Sequence, residues 1–187
     1  MIYILPTNTC FGIACSIDDT KSYDRIYKIK KRSLDNPLAI LVPDFKWLEN
    51  NTTLTHEQVE FLKNYEKPFT IITDSPHVKV WMNYVNDENG EQFLNRGIYE
   101  KFAFRVAHNK TQERLLKENG PMFLTSANIS SETEIYTSRE IKKIFGEYIE
   151  KGTIKFVGEN TGVLEKVKPS EIFEFVGETL EQRFIRR

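Results

Sequence analysis

The apolar run Leu38–Val42 constrains the fold of this chain more than any other segment. Asn36-Pro37 precede the run and Pro43-Asp44 follow it, so turn residues bound it on both sides. A short apolar run bounded in this way is typical of a strand that is buried in a sheet. A sheet with such a strand needs helices to cover it, which predicts a protein of mixed helices and strands.

Short apolar runs predict further strands, and helical spacing of apolar residues predicts the helices between them. The predicted strands are 2–5, 11–17, 69–73, 102–107 and 122–125, with short strands near 153–157, 171–176 and 183–186. The predicted helices are 20–31, a helix that begins after Thr55, 111–119, and a helix that follows a capping box of Thr137 and Glu140. The segment 78–100 predicts a long hairpin that turns at Asn89-Gly90. Because helices and strands do not alternate strictly, the sequence predicts a single α/β (α+β) domain over residues 1–187, with a sheet covered by helices.

The composition is that of a soluble globular protein and excludes a general affinity for polyanions. Of the residues, 40% are hydrophobic and 28% charged, and 26 Lys and Arg against 27 Asp and Glu give a net charge of −1. Without an overall positive field, anion binding has to come from local clusters of charge. The N-terminal MIYILPTNTC has no basic region, and no apolar window approaches the roughly 18 residues of a membrane-spanning helix. We therefore expect a cytoplasmic protein without membrane contact.

The two cysteines, Cys10 and Cys15, lie in or beside a predicted strand. In a reducing compartment a disulfide is not expected, and no second Cys pair or nearby His completes a zinc site. The sequence therefore favours plain packing of both thiols and predicts no metal ligands among the protein side chains.

Three polar clusters follow predicted elements and are chemically complementary. They are PTNT at 6–9 after the first strand, Lys30-Lys31-Arg32 at the end of the first helix, and Thr125-Ser126-Ala127-Asn128 after a later strand. Taken alone, each cluster has a simpler interpretation: turn residues bond their own backbone, and cations favour the end of a helix dipole. Taken together, the clusters supply the hydroxyls, amides and cations that bind phosphate or carboxylate.

The position of the cations in the chain favours a site. The turn Ser33–Pro37 leads from them directly into the buried strand, which places them at a sheet edge, where open α/β sheets bind ligands. Two other arginines are ambiguous. Arg105 interrupts the apolar strand FAFRVA and is either solvent-facing or buried with an anionic partner. Judged alone, Arg186 is most simply interpreted as a surface residue.

Common catalytic signatures are missing from the sequence. It contains no GxxxxGK[ST] loop, no GxGxxG, no GxSxG and no HExxH. The three histidines, His56, His77 and His108, lie in polar segments without the spacing of a triad or metal site, which predicts surface positions. If the chain uses ATP, it is not an enzyme of the P-loop type.

Five short motifs resemble the YrdC family in their order and rough spacing, over essentially the whole chain. They are LPTNTCFGI (5–13), KKRSLDNPLAIL (30–41), FRVAH (104–108), TSANISS (125–131) and KPSEIFEF (168–175). The resemblance implies a twisted mixed β-sheet flanked by helices, with a concave cavity lined by positive charge. It also implies the family's best-known activity, the synthesis of threonylcarbamoyl-AMP.

The implied reaction is a nucleotidyl transfer in which L-threonine, bicarbonate and ATP give L-threonylcarbamoyl-AMP and pyrophosphate. Mg²⁺ would accompany the ATP. The product feeds the threonylcarbamoyladenosine modification of tRNA, so tRNA and other proteins of that modification are candidate partners. Such chemistry depends on positioning and on stabilisation of negative charge rather than on a protein nucleophile, which agrees with the polar clusters.

The resemblance also implies roles for individual residues. As catalytic residues, Lys30 and Arg32 would hold the triphosphate and the developing carbamate charge. Thr7 and Thr9 would contact threonine, and Arg105 would pair with its carboxylate. The remaining binding residues are Asn36, Thr125, Ser126 and Asn128 for the nucleotide, with Ser170 and Arg186 closing the site from the C-terminal strands. Lys31 has the variable middle position of its motif and is predicted to be solvated.

The sequence departs from the family pattern at several of these motifs. Asn8 stands for the usual Asp, Ser33 and Ala107 stand for prolines, and Glu171 stands for a Thr. Since a carboxylate facing the proposed phosphates would repel them, we expect Glu171 to point away from the cavity. The departures leave open whether threonine is the acceptor. They also suggest a degenerate, regulatory paralogue. A separate alternative is a YrdC-like protein that binds RNA or nucleotide without catalysis.

Overall fold

The computed structural model describes residues 1–33, 36–76, 84–86, 92–94 and 101–187. Its main feature is a mixed sheet of nine strands in the order β11-β10-β4-β7-β3-β8-β2-β1-β9. These strands are β1 Ile2–Pro6, β2 Phe11–Ser16, β3 Ala39–Val42, β4 Phe69–Thr73, β7 Phe102–Val106, β8 Met122–Ser126, β9 Ile154–Phe156, β10 Glu171–Phe175 and β11 Gln182–Arg186. Among the described residues the α-helices are α1 Thr20–Lys30, α2 Phe45–Asn51, α3 His56–Lys63, α4 Lys110–Asn119 and α5 Ser138–Glu150. The predicted α/β (α+β) class is confirmed.

A separate pair of strands accounts for part of the predicted hairpin. Strand β5 Tyr84–Asn86 pairs antiparallel with β6 Gln92–Leu94, in the register Tyr84↔Leu94. The predicted turn at Asn89-Gly90 lies outside the described residues, as does His77.

Strand β3 lies in the middle of the sheet, as its apolar run predicts. It pairs in parallel with β7, where Ile40 faces Phe104, and antiparallel with β8, where Ile40 faces Phe123. All three of these side chains are buried in the larger hydrophobic cluster. This face of the sheet is the fully covered one.

The opposite face is only partly covered. Leu41 and Leu124 project there and join a smaller cluster with Leu115 and Leu116 of α4. Because neighbouring strand residues alternate between the two faces, Arg105 lies on this second face, next to buried Phe104 on the first. The alternation explains how a strand as apolar as FAFRVA accommodates an arginine.

Local capping signals define the helix ends. The capping box of Thr137 with Glu140 is formed, as predicted, and Thr55 is the predicted N-cap of α3, where Gln58 completes a second capping box. Helix α1 ends at Lys30 because Lys31 adopts a left-handed conformation with φ of 52°. The exposed Lys31 side chain agrees with the prediction that it is solvated. The sequence analysis missed α2, which begins after Asp44, whose side chain accepts a hydrogen bond from the Trp47 amide.

No helix within the described ranges is both long enough and apolar enough to cross a membrane.

Candidate active site

A cavity of about 230 Å³ lies on the partly covered face of the sheet. Its lining runs across the strands from β2 to β11, with Gly12 and Ser126 paired at one side and Ile172 and Arg186 paired at the other. Further lining residues come from the turn between β1 and β2 and from the segment after residue 133. A concave cavity of this kind was expected from the resemblance, and the sheet forms its floor.

Three guanidinium groups line the cavity, and we call Arg32, Arg105 and Arg186 the arginine cluster. Arg32 donates from Nε to the Asn36 carbonyl at 2.9 Å and from Nη2 to the Pro37 carbonyl at 3.2 Å. These bonds hold the guanidinium beside β3 but leave its charge unneutralised. Among the described residues, no member of the cluster forms an ion pair with a carboxylate.

Arg186 is fixed at the far side of the cavity by Ser170. Its Nε and Nη2 donate to the Ser170 carbonyl at 3.1 and 2.8 Å, and Nη2 also contacts Ser170 Oγ at 3.2 Å. Ser170 Oγ lies 3.0 Å from the hydroxyl of Thr70, so the buried hydroxyls are themselves held. Ser170 and Arg186 therefore act as one positioned unit.

Arg105 occupies the centre of the cluster and donates to Asn8 Oδ1. Burial is the main cause that lowers the pKa of Arg105 to about 10, and the nearby positive charge of Arg186 lowers it further, against the opposing effect of the Cys10 thiol. The group remains a cation at neutral pH. A bound anion would relieve both the desolvation of this guanidinium and its repulsion by Arg186.

The PTNT turn is held by its own hydroxyls. Thr7 Oγ1 donates to the Cys10 carbonyl at 2.8 Å and accepts from the Thr9 and Cys10 amides at 3.2 and 3.3 Å. The Thr9 hydroxyl lies 3.1 Å from Thr7 Oγ1 and donates to Cys10 Sγ at 3.9 Å. Its oxygen has acceptor lone pairs, which suit a ligand ammonium or hydroxyl.

Lys30 is placed differently from the arginines. It is 1% exposed, and its Nζ donates to the carbonyls of Ser126 and Asn128, which we call the lysine–loop contact. Burial first, and the charge of Arg32 second, lower the pKa of Lys30 to about 8. The contact fixes the loop after β8 onto the end of α1, and the Ser130 amide adds to it by donating to the Lys30 carbonyl at 2.9 Å.

The structure brings most of the predicted site residues to the cavity, but not all of them. Those lining it are Thr7, Thr9, Arg32, Arg105, Thr125, Ser126, Ser170 and Arg186. Lys30, Asn36 and Asn128 do not line it. The ammonium of Lys30 is engaged by backbone carbonyls, and Asn36 is exposed outside the cavity. The buried Asn128 donates to the Glu132 carbonyl at 2.6 Å, and its Oδ1 has no partner among the described groups. The ligand roles given to all eleven residues stay predictions.

Four polar lining residues were not predicted from the sequence: Cys10, Thr70, Glu134 and Tyr136. Cys10 was interpreted only as a packed thiol, and it is buried, with its pKa raised chiefly by that burial. Glu134 and Tyr136 flank buried Ile135. That polar–apolar–polar alternation is the signal that could have placed the two side chains on one side of the segment.

Glu171 points away from the cavity, as predicted. Its neighbours Ser170 and Ile172 line the cavity, whereas the Glu171 carboxylate accepts hydrogen bonds from Tyr65 and, at 2.8 Å, from Lys67. The departure at this position therefore adds no negative charge to the cavity.

Comparison with known proteins agrees with the resemblance seen in the sequence motifs, over the full length of this chain. Residues 1–187 match the family model of Sua5, YciO and YrdC proteins, which carries the description "Telomere recombination". Two similar proteins are the threonylcarbamoyl-AMP synthases of Vibrio vulnificus (strain YJ016) and Buchnera aphidicola subsp. Acyrthosiphon pisum. The first is 28% identical over 89% of this chain and 83% of its own length, and the second 27% identical over 76% and 77%.

Two solved structures share the fold. P. abyssi Sua5 complexed with L-threonine superposes with a TM-score of 0.70 at 23% identity, over 93% of this chain and 47% of that one. The chain thus spans about half the length of the P. abyssi protein. E. coli YciO superposes with a TM-score of 0.70 at 20% identity, over 99% of this chain and 82% of that one. By its match along the entire sequence and by the sheet described above, this chain belongs to the Sua5/YciO/YrdC family.

Proposed function

We propose that this chain is an L-threonylcarbamoyl-AMP synthase, a nucleotidyltransferase that uses L-threonine, bicarbonate and ATP. The observation that carries the proposal is the arginine cluster, which gathers three guanidiniums without carboxylate partners, among the described residues, around one cavity lined with hydroxyls. Each of the three substrates brings at least one anionic group. The names of the curated relatives support the same activity.

The reaction needs two bond-forming steps at this site. The amine nitrogen of threonine bonds to the carbon of bicarbonate with loss of water, which gives a carbamate. A carbamate oxygen then attacks the α-phosphorus of ATP, and the bond to the leaving pyrophosphate breaks. Negative charge accumulates on the carbamate and on the phosphates, so fixed guanidiniums are the groups that stabilise this chemistry.

The geometry supports a division of roles. In this proposal Arg105, which lines the cavity with Thr7 and Thr9, binds the threonine carboxylate. Arg32 and the Ser170–Arg186 unit bind phosphate and carbamate oxygens, together with Thr125 and Ser126, which also line the cavity. Lys30 acts through the loop that it holds, which makes it a positioning residue.

We also propose that Mg²⁺ enters with the ATP. The described part of the chain contains no cluster of three or more His, Cys, Asp or Glu side chains that could hold a metal ion by themselves. Oxygen ligands from the triphosphate suit Mg²⁺, which neutralises phosphate charge when it is bound. The product would serve the modification of tRNA, for which a cytoplasmic location is the natural one.

The direct test is pyrophosphate release by the purified protein. We expect release that requires ATP, L-threonine and bicarbonate together, and a product whose mass carries the label of ¹³C-bicarbonate. A panel of other amino acids in place of threonine establishes the acceptor. A correctly folded protein that releases no pyrophosphate with all three substrates would rule out the proposal and favour the non-catalytic alternative.

A further inference from the structure

Glu134 supplies the one carboxylate among the described residues that line the cavity. It is half-buried, and no described Lys, Arg or His forms an ion pair with it. In a cavity suited to anions, a fixed negative charge weakens the binding of phosphate and carboxylate unless the ligand brings a positive group to meet it. A bicarbonate ion has no such group, whereas an amino acid has an ammonium.

The segment that carries Glu134 is held firmly in place. The Phe11 amide of β2 donates to the Ile135 carbonyl at 2.9 Å, and the Leu164 amide donates to the Tyr136 carbonyl at 2.8 Å. Ile135 itself is 3% exposed. These contacts fix the backbone at Ile135 and Tyr136, directly after Glu134, whose side chain lines the cavity.

Tyr136 lines the cavity two residues after Glu134. The pKa of Tyr136 is raised by burial first and then by the charge of Glu134, so the two groups are near enough to interact. The carboxylate oxygens of Glu134 can accept hydrogen bonds from a ligand.

The buried Cys10 thiol lies close to one positive and one negative group of the lining. Its buried thiol senses the charge of Arg105, which favours the thiolate, and the charge of Glu134, which opposes it. Arg105 also donates to Asn8 in the turn that contains Thr7 and Thr9. The lining near Cys10 therefore has a cation, two hydroxyls and an anion, which matches the carboxylate, hydroxyl and ammonium of a hydroxyamino acid.

We propose that Glu134 binds the α-ammonium group of the amino acid substrate, while Arg105 binds its carboxylate, so that the cavity selects a zwitterion. The inference rests on the proposed function for the identity of the substrate. It gives Glu134 a role in binding and orientation and assigns it no proton transfer. Orienting the amine beside the cations that hold bicarbonate and phosphate is what the first bond-forming step requires.

The test compares L-threonine with (R)-3-hydroxybutyrate, which lacks only the amino group. By titration calorimetry, we expect the wild-type protein to bind L-threonine at least about 10-fold more tightly than the analogue, as for a lost charge-assisted hydrogen bond. In Glu134→Gln, affinity for L-threonine should fall by about 10-fold or more, while affinity for the analogue should stay the same or rise. The KM for ATP should not change.

Glu132→Gln provides the matched control, because its side chain is exposed two residues earlier in the same segment. It should retain the wild-type discrimination, and thermal unfolding of both variants should show that they fold equally well. The comparison of the two ligands with the wild-type protein needs no variant, so it remains valid even if one of the two variants is unstable.

Each outcome separates this inference from the proposed function. Unchanged threonine affinity in Glu134→Gln would overturn the inference, and so would a raised Mg²⁺ requirement with normal threonine binding, which would make Glu134 a metal ligand. If wild type discriminates as expected but releases no pyrophosphate, the proposed function fails and the inference stands. If the wild-type protein binds neither compound, both fail.

Discussion

The lysine–loop contact and the arginine cluster lie side by side, yet they use positive charge in opposite ways. Lys30 is buried, and its ammonium donates to the backbone carbonyls of Ser126, at the end of β8, and Asn128, in the loop that follows. Arg105 and Arg186 line an open cavity, and their bonds to Asn8 and Ser170 leave their charges without a described carboxylate. A cation close to a site is therefore not always a cation available to a ligand.

The difference has a physical cause in the surroundings of each group. Two backbone carbonyls accept from two of the three N–H groups of the Lys30 ammonium without adding any net negative charge. A guanidinium with five N–H groups, held by one or two of them, keeps the others for a planar anion. We infer that the first arrangement stabilises the fold and that the second stabilises a bound substrate.

The strongest test of this contrast is the substitution Lys30→Met. It removes the donor of two buried carbonyls, so we expect the free energy of unfolding to fall by about 3 kcal/mol. Urea denaturation followed by circular dichroism measures the change. Lys31→Met, at the exposed neighbouring position, should change stability by no more than about 0.5 kcal/mol. A Lys30→Met protein with normal stability and no affinity for ATP would break the comparison, since Lys30 would then be a ligand group.

The reciprocal test is Arg105→Gln. We expect kcat/KM for L-threonine to fall by about 100-fold, because a charged pair with the substrate carboxylate is lost. Stability should stay the same or rise slightly, because a desolvated charge is removed as well. Steady-state pyrophosphate release and urea denaturation give the two values.

Arg114→Gln, on the exposed surface of α4, provides the control for Arg105→Gln and should behave as wild type. A large loss of stability in Arg105→Gln would show instead that Arg105, like Lys30, stabilises the fold.

The pH dependence of stability sharpens the contrast further. The pKa of Lys30 is about 8 in the folded protein, against an ordinary value of 10.5. Between these values the unfolded chain binds more protons than the folded one, so the free energy of unfolding should rise with pH, by at most about 1.4 kcal/mol per pH unit. Below pH 8 this contribution should be constant.

Urea denaturation at pH 8 and pH 9.5 measures that rise, and Lys30→Met should lack it. Equal slopes in the wild-type protein and the variant would show that Lys30 does not titrate in this range.

The sequence was sufficient for features that depend on local patterns. The β3 run, the N-cap at Thr55, the capping box of Thr137 and Glu140, and the outward position of Glu171 depend on local patterns and like-charge repulsion, and all are present in the structure. Helix α2 was missed although the Pro43-Asp44 pair before it carries a cap signal, because the same pair was interpreted only as the end of a strand.

The candidate site was harder to predict in detail. A motif identifies which residues recur, but it does not say which atoms a long side chain reaches. Lys30 and Arg32 belong to one motif, yet one ends under the loop and the other at the cavity. Glu134 lies in an irregular segment between β8 and α5, where the alternation around buried Ile135 is short and is the sole local signal for the direction of its side chain.

The position of Arg186 on β11 has a consequence for exchange kinetics. Among the described strands, β11 is at the edge of the sheet and pairs with β10 alone, so its amides should open to solvent more readily than those of central strands such as β3. An anion held by Arg186 would tie this edge to the rest of the cavity. Hydrogen exchange of Gln182–Arg186 should therefore slow when ATP or pyrophosphate binds, which makes the strand a label-free reporter of occupancy.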